Sequence, residues 1–563
     1  MRGAEELENH FVTAEISNLR RTLRRKFGFR TLREGQEEVI RSIVEGRDTL
    51  AIMPTGAGKS LCYQLPGTAL PGTTVVVSPL LSLMKDQVDK LQELGIDAVQ
   101  VNSTLTAREE SAVLEEIRQE KREFVFVTPE RLAQPEFMET LRRNTIDVFV
   151  IDEAHCISQW GHDFRPDYLR LRETIEALGS PPVLALTATA TPEVVEDILR
   201  QLGREEMEVI DTGIYRENLR FEVIACRDEE IKRMHLARLI GEIEGTGIVY
   251  TSTIRDCEEL TDYLEGLGFR VARYHGRLGA RERKATQDRF MAGEVQAIIA
   301  TNAFGMGIDK PDIRFVIHFN LPGSLESYYQ EAGRAGRDGE LARCVLLYLP
   351  EDRNTQIFFL NGRYPKREHF DGVYRALDRL KADQHPVTAQ DVHERARDVA
   401  LGKVRVVLAT MKDLGMVGEP EAGSFRLLRS GLAAEDLDEM ARRYEQRAEI
   451  DRDRLRRMVL YAQSALCRWK LIAEYFGVEL LDPRCGHCDS CDRPELEPPP
   501  AREQRPRDAE LLPLPPVPGV DLSTLQPGDV LTLPIWGRGE VRAVDEAVLV
   551  LELAEGEVRE FRR

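Results

Sequence analysis

The octapeptide MPTGAGKS at 53–60 has the residue types of a loop that wraps a phosphate chain. Gly56 and Gly58 carry no side chain, so backbone N–H groups from Thr55 through Ala57 to Ser60 can approach phosphate oxygens, and the helix that follows adds its positive end. Lys59 would reach the β- and γ-phosphates and Ser60 would hold Mg²⁺; Met53 stands where the usual pattern begins with glycine. DEAH at 152–155 ends an apolar strand, which puts Asp152 in position to complete the Mg²⁺ shell and Glu153 to polarise an attacking water. In QEAGRAGRDG at 330–339, Arg334 and Arg337 are three apart, on one face if helical, and would bring positive charge to a departing γ-phosphoryl group. Together the three segments imply ATP hydrolysis in a cleft between two lobes.

A second constellation is Cys485, Cys488 and Cys491, spaced C-x₂-C-x₂-C, with Cys467 18 residues upstream of the first. Four thiolates make a closed tetrahedral site for Zn²⁺ and stabilise a small domain in place of a large core. An iron–sulfur cluster, or His487 as a competing ligand, are the alternatives. Cys62, Cys156, Cys226, Cys257 and Cys344 are scattered and read as small apolar residues.

The elements that must position these residues alternate between β-rich runs and amphipathic helices from about 20 to 350, the pattern of parallel sheets covered by helices. One series is 73–79, 123–129, 147–153 and 183–189; a second is 247–253, 270–276, 297–303 and 315–321. Two α/β lobes should therefore join near 208–220. Beyond about 362 the pattern predicts helices over 366–382, 387–397 and 402–414 and a hairpin from 415 to 428, which suggests a winged-helix module. More helices lead into the cysteines. Residues 494–518 hold nine prolines in 25 positions and read as a stiff linker, and the period-two alternation beyond it predicts a small β-barrel of SH3 or Tudor type.

With 563 residues, 42% hydrophobic and 31% charged, the chain is neither fibrous nor mostly disordered. It carries no apolar run of membrane-spanning length and no signal-peptide core at its start, which points to a soluble cytoplasmic protein without a membrane partner. Its net charge of −19 is the wrong sign for a surface that attracts nucleic acid everywhere, so such binding must use local patches. Residues 441–470, with nine Arg and Lys against four acids, are a candidate, although a solvated helix face would have the same composition.

At this point the chain resembles the RecQ-type helicases of superfamily 2. Besides MPTGAGKS, DEAH and QEAGRAGRDG, it carries FGFRTLREGQEEVI (27–40), VVSPLLSLMKDQV (76–88), VTPERL (127–132), CISQWGHDFRPDY (156–168), LTATAT (186–191) and ATNAFGMGIDKPDIR (300–314). The resemblance implies an α/β fold with two tandem RecA-like lobes, followed by the winged-helix-like module, a helical zinc-binding domain and the C-terminal barrel. The expected boundaries are an N-terminal extension 1–20, lobes 21–214 and 215–362, the winged-helix-like module 363–430, the zinc domain 431–493, the linker 494–518 and the barrel 519–563. It further implies that Gln36 and Arg33 read adenine, with Phe29 stacking on it where relatives usually have Tyr. Trp160, Phe164 and Arg165 would belong to an aromatic-rich loop that senses single-stranded DNA, Thr187 and Thr189 would link the ATP and DNA sites, and Gly307 and Asp309 would face the inter-lobe cleft.

The implied activity is ATP-driven 3′-to-5′ unwinding of tailed or forked DNA in repair, recombination or fork maintenance, close to the nucleoid. An RNA helicase and a strand-annealing scaffold are the rival readings. The order of the C-terminal modules departs from many relatives, which place the winged helix after the zinc domain. The duplex-separating wedge is then either the hairpin at 415–428 or a loop of the second lobe, and the barrel would receive a protein partner or serve only stability.

Overall fold

The computed structural model describes residues 18–102, 105, 107–119, 122–158, 160, 161, 165–305, 308, 310–421, 423–429, 434–480, 482–493, 512, 513, 520, 525–533, 537–544, 548–553 and 558–562. Two compact units divide the chain, Met1–Asp492 and Arg493–Arg563.

In the first unit, seven strands form one lobe: β1 (Thr49–Ile52), β2 (Thr73–Val77), β3 (Ala98–Val101), β4 (Phe124–Val127), β5 (Ile146–Ile151), β6 (Val183–Thr187) and β7 (Glu208–Asp211). All pair in parallel in the order β3-β4-β2-β5-β6-β1-β7. The second lobe has β8 (Leu219–Ala225), β9 (Thr246–Tyr250), β10 (Val271–Tyr274), β11 (Ala297–Ala300), β12 (Ile313–His318) and β13 (Ala342–Tyr348), parallel in the order β10-β11-β9-β12-β13-β8. Central strands such as β1, β2 and β4 are buried along their whole length, as sheets covered on both faces require. Each predicted run overshoots its strand by a few residues. Those extra residues (Ser78–Pro79, Thr128–Pro129, Asp152–Glu153) are the motif residues, delivered to the carboxyl edge where open α/β sheets bind ligands.

Helices Arg367–Arg379, Ala389–Arg395 and Leu401–Asp413 follow, with strands Val387–Thr388, Val417–Glu421 and Ser424–Leu427 in one antiparallel sheet. They share a core built on Phe370, Leu377, Val407 and Met411. The 30-residue helix Ala434–Gln463 joins two cores, with Leu437 and Met440 in this one and Leu455, Met458 and Tyr461 in that of the second lobe.

The cysteine region thereby docks on β8, the edge of its sheet. Trp469 Nε1 donates to the Leu219 carbonyl at 3.1 Å, Asp489 N to the Phe221 carbonyl at 3.2 Å, and Val223 N to the Asp489 carboxylate at 3.2 Å. These bonds occupy the edge groups of β8 that would otherwise invite another strand. Arg468, only 2% exposed, is neutralised by Asp489 at 2.7 Å.

In the second unit, strands Val530–Leu533, Gly537–Val544, Val548–Leu553 and Val558–Arg562 form an antiparallel meander around Leu531, Val541, Leu551 and Phe561. Leu512–Pro513 adds a short parallel edge, and the rest of the proline-rich 494–518 lies outside the described residues. Among the described residues no helix is long and apolar enough to cross a membrane.

Candidate nucleotide site and metal centre

The phosphate loop leaves β1 and ends at Ser60, the residue before helix Leu61–Gly67. Gly56 and Gly58 adopt φ of 89° and 81°, a region open to glycine at little cost. Gln36, 2% exposed, packs behind the loop: its Nε2 donates to the carbonyls of Ala57 and Gly58 at 2.9 and 3.0 Å, and its Oε1 accepts from Arg33 N at 2.8 Å. The Arg33 guanidinium donates to the Gly56 carbonyl. Lys59 Nζ donates to the Met53 carbonyl at 3.1 Å.

Asp152 follows β5, its N–H bonded to the Val77 carbonyl at 2.8 Å. Its carboxylate accepts from Glu153 N at 3.0 Å and from Ser78 Oγ at 3.3 Å. Burial, with Glu153 beside it, pushes the Asp152 carboxyl up to about 7 against the opposing charge of Lys59. Burial likewise draws Lys59 down, and Glu153 and Asp152 counter it. A bound cation would relieve the carboxyl group. Glu153 has φ of 52°, an αL turn that costs a non-glycine residue energy and starts the tight helix Ala154–Ile157.

His155 Nδ1 lies 3.1 Å from Thr187 Oγ1 and 3.3 Å from Glu153 Oε2. Thr187 Oγ1 also donates to the Thr189 carbonyl at 3.0 Å. His155 therefore lies between the Glu153 carboxylate and Thr187, whose hydroxyl is in turn bonded to Thr189. The sequence reading gave His155 no role, although it is the last letter of DEAH.

Arg334 and Arg337 do not share a helical face. Helix Leu325–Ala332 ends before them, and Gly336 and Gly339, at φ of 58° and 89°, turn the chain. Both arginines nonetheless line one cavity of about 730 Å³ with Phe29, Arg33, Gln36, Thr55, Gly56, Gly58, Lys59, Ser60, Asp152 and Glu153. Arg334 is buried and donates to the Gly305 carbonyl. Gly307, Asp309 and Phe164 lie outside the described residues.

Trp160 is 45% exposed and so is no core residue. Arg165 Nη1 donates to the carbonyl of Pro79, itself on the cavity wall, at 3.0 Å. The loop is held from the far side by Arg454, which sequence reasoning counted only as one charge among many. Its guanidinium donates to the carbonyls of Trp160 and Gly161 and faces Glu326 at 3.4 Å and Asp451 at 2.9 Å.

The basic run is mostly spoken for. Arg442 pairs with Glu439, Arg456 and Arg457 with Asp453, Arg468 with Asp489 and Lys470 with Glu474. Arg442, Arg456 and Arg457 are exposed and Lys470 is partly exposed, as on a solvated helix face, whereas Arg468 is buried.

The sulfur atoms of Cys467, Cys485, Cys488 and Cys491 all lie within 4.8 Å of one another. A tetrahedron with metal–sulfur bonds of about 2.3 Å puts its sulfurs roughly 3.8 Å apart, and Cys485 and Cys491 are 3.9 Å apart, so the set fits a single ion. Hydrogen bonds from the Cys485 and Cys488 thiols pull Cys467 down to about 3, while Cys485 is pushed up. Four thiolates this close ionise together only around a cation. His487 turns Nδ1 to the Cys485 carbonyl at 2.8 Å and is outside the sulfur set.

Three family models match the chain: DEAD/DEAH box helicase over 33–198, helicase conserved C-terminal domain over 231–339, and RecQ zinc-binding over 431–492. The "Probable ATP-dependent DNA helicase RecS" of Bacillus subtilis is 38% identical over 479 residues, covering 84% of this chain and 92% of that protein. The chain belongs to the RecQ family of helicases. The "ATP-dependent DNA helicase RecQ" of Bacillus subtilis is 45% identical over 362 residues, covering 63% of this chain and 59% of that relative, so the chain spans less than two thirds of it. Among solved structures, the DNA-bound helicase MrfA has a TM-score of 0.50 at 18% identity, covering 74% of this chain and 60% of that one, a likeness of fold. The RecQ resemblance carried by the motifs is thereby met, and the cysteine set coincides with the matched zinc-binding region.

Proposed function

We propose that this RecQ-family chain is an ATP-driven motor that unwinds tailed or forked DNA in the 3′-to-5′ direction. One observation carries the reading: Lys59, Asp152 and Glu153 from the first lobe and Arg334 and Arg337 from the second line the same cavity. The two Bacillus subtilis relatives, named as DNA helicases, favour DNA over RNA.

In this reading Phe29 stacks on adenine and Arg33 and Gln36 read its edge, while Thr55 to Ser60 wrap the phosphates. Ser60 and Asp152 would hold Mg²⁺, which supplies charge neutralisation at the β- and γ-phosphates. Glu153 orients the water, and the two arginines stabilise the charge that develops on the phosphoryl group. Because those arginines belong to the other lobe, hydrolysis is completed only when the lobes close, and product release lets them part. Thr187, Thr189 and His155 carry the change to the aromatic loop, where Trp160 stacks on bases without regard to sequence. Gly307, Asp309 and Phe164 are assigned to the cleft and the loop by family pattern.

Cys467, Cys485, Cys488 and Cys491 would hold Zn²⁺, which fastens the region that covers β8. The helices and small sheet at 367–427 have the element order of a winged helix, suited to touching duplex DNA. The C-terminal meander is assigned to an SH3- or Tudor-like barrel that receives a protein partner. A cytoplasmic, nucleoid-associated setting suits the DNA substrate.

The deciding experiment is Lys59→Ala in a strand-displacement assay on 3′-tailed and 5′-tailed duplexes. DNA binding should persist while ATP hydrolysis falls by roughly a hundred-fold or more and unwinding of the 3′-tailed substrate disappears. Unwinding that survives the substitution would leave a strand-binding scaffold as the better reading.

A further inference from the structure

In the segment between the lobes, Thr212 N still donates to the Ile52 carbonyl of the first lobe at 3.0 Å, but residues 214–218 are strapped to the other side. Tyr329 Oη donates to the Ile214 carbonyl at 2.5 Å, Tyr215 packs edge-on against the buried Trp469 with ring centroids 4.9 Å apart, and Asn218 Nδ2 donates to the carbonyls of Gly336 and Glu340 at 2.7 and 2.9 Å. Every one of these ties leads to the second lobe or to the cysteine region docked on it. Residues 214–218 are therefore attached to that body.

Arg216, in its middle, reaches both sides. Nη1 donates to the Gly333 carbonyl at 2.8 Å and Nη2 to the carbonyls of Ala335 and Gly336 at 2.9 and 2.5 Å. These three acceptors belong to the turn that carries Arg334 and leads into Arg337. The fourth bond, from Nη1 to the Thr55 carbonyl at 3.2 Å, crosses to the phosphate loop. The two loops already touch here: a Cβ on Gly333 would lie 3.2 Å from Thr55 Cβ, and one on Gly56 3.1 Å from Arg337 Cγ. A guanidinium presents its N–H donors as a rigid planar fork and can serve carbonyls from two loops at once, with less side-chain freedom lost per bond than a lysine ammonium on its flexible stem. Arg216 is not among the residues lining the cavity.

We propose that Arg216 is a positioning residue for hydrolysis: three bonds fix it to the arginine-bearing turn, and the fourth latches that turn to the Thr55 carbonyl, setting the distance at which Arg334 and Arg337 meet the γ-phosphate. The inference rests on the ATP-hydrolysis reading above and adds to it a residue that touches no substrate. Opening the cleft breaks only the Thr55 bond, so the latch can release and re-form in each cycle. Phe29, Arg33, Gln36 and Lys59 all belong to the first lobe, so nucleotide binding does not depend on the latch.

The test uses the full chain with Arg216→Met and Arg216→Lys, reading DNA-stimulated ATPase against ATP concentration, affinity for a fluorescent ADP analogue and thermal midpoint. Misplacing catalytic groups without touching substrate contacts should lower kcat of Arg216→Met by about tenfold or more, with KM for ATP, ADP affinity and midpoint close to wild type. Arg216→Lys should regain only part of the rate. A kcat within about threefold of wild type overturns the inference, as does a loss of kcat matched by a loss of ADP affinity, which would make Arg216 a support of the phosphate loop itself. If the methionine variant does not fold, the lysine variant decides: reduced kcat with unchanged ADP affinity upholds the latch, and wild-type kcat removes it. An inactive wild-type chain would sink the motor reading, whereas an active one with unaffected Arg216 variants sinks this inference alone.

Discussion

Gln36 stands directly behind Gly58: its Nε2 donates to the Gly58 carbonyl at 3.0 Å, and a Cβ on Gly58 would come within 2.6 Å of that nitrogen. Gly58→Ala meets both this clash and the φ of 81°, so the loop must shift away from the phosphates. The ATP concentration for half-maximal hydrolysis should rise about tenfold or more, with a small change in thermal midpoint. Gln36→Leu, which removes three hydrogen bonds worth roughly 1 kcal/mol each, should move it in the same direction.

Trp160 offers an exposed ring on a loop tied to the cavity wall through Arg165 and Pro79. Trp160→Ala should weaken single-stranded DNA binding by roughly 1–3 kcal/mol, measured by fluorescence anisotropy, and reduce the DNA-stimulated ATPase rate. Unchanged affinity would move the base-stacking surface elsewhere.

The hairpin of the 367–427 module ends in Glu419, Pro420 and Glu421 before Ala422 and Gly423, without an aromatic residue. Glu419 is already bonded to Lys412 and to the Gly423 N–H. A stretch this acidic in sequence is poorly suited to parting two phosphate backbones, so the hairpin is expected not to act as the wedge. Shortening 419–423 should leave unwinding within about twofold of wild type; loss of unwinding with ATPase retained would assign the hairpin that role.

Cys485→Ser should remove one zinc ion per chain, detected by elemental analysis. The region it fastens supplies Trp469 and Asp489 to the edge of β8, so the effect should spread into the second lobe. A fall in thermal midpoint of about 5 °C or more is expected, and chelation of the wild-type protein should reproduce it.

Lys232 and Asp352 form a buried pair, 1% and 8% exposed, at 2.8 Å, with the ammonium 4.5 Å from the Phe319 ring centroid. Asp352→Ala strands the lysine charge and should cost about 3–5 kcal/mol in urea unfolding. The double variant Lys232→Met with Asp352→Leu should regain most of this loss, because no uncompensated charge remains.

The phosphate loop, DEAH and the strands that present them are legible in the chain because each is a contiguous segment whose local period and glycine positions dictate its own geometry. The four cysteines are legible for the same reason, three of them lying within seven residues. The helical face expected for Arg334 and Arg337 failed because the helix ends at Ala332 and Gly336, at φ of 58°, turns the chain between them, yet both side chains reach the cavity. What only the tertiary structure decided are contacts between distant segments. Arg216 meets Thr55 and Gly333, Arg454 holds the backbone of Trp160, and Asp489 covers β8. Each depends on how two lobes and a docked helix come to rest, a matter of packing that no local pattern encodes. Charge divides the same way: the pairs of Arg442, Arg456, Arg457 and Lys470 lie three or four residues apart and are local, whereas those of Arg454 with Glu326 and Arg468 with Asp489 are made only by folding.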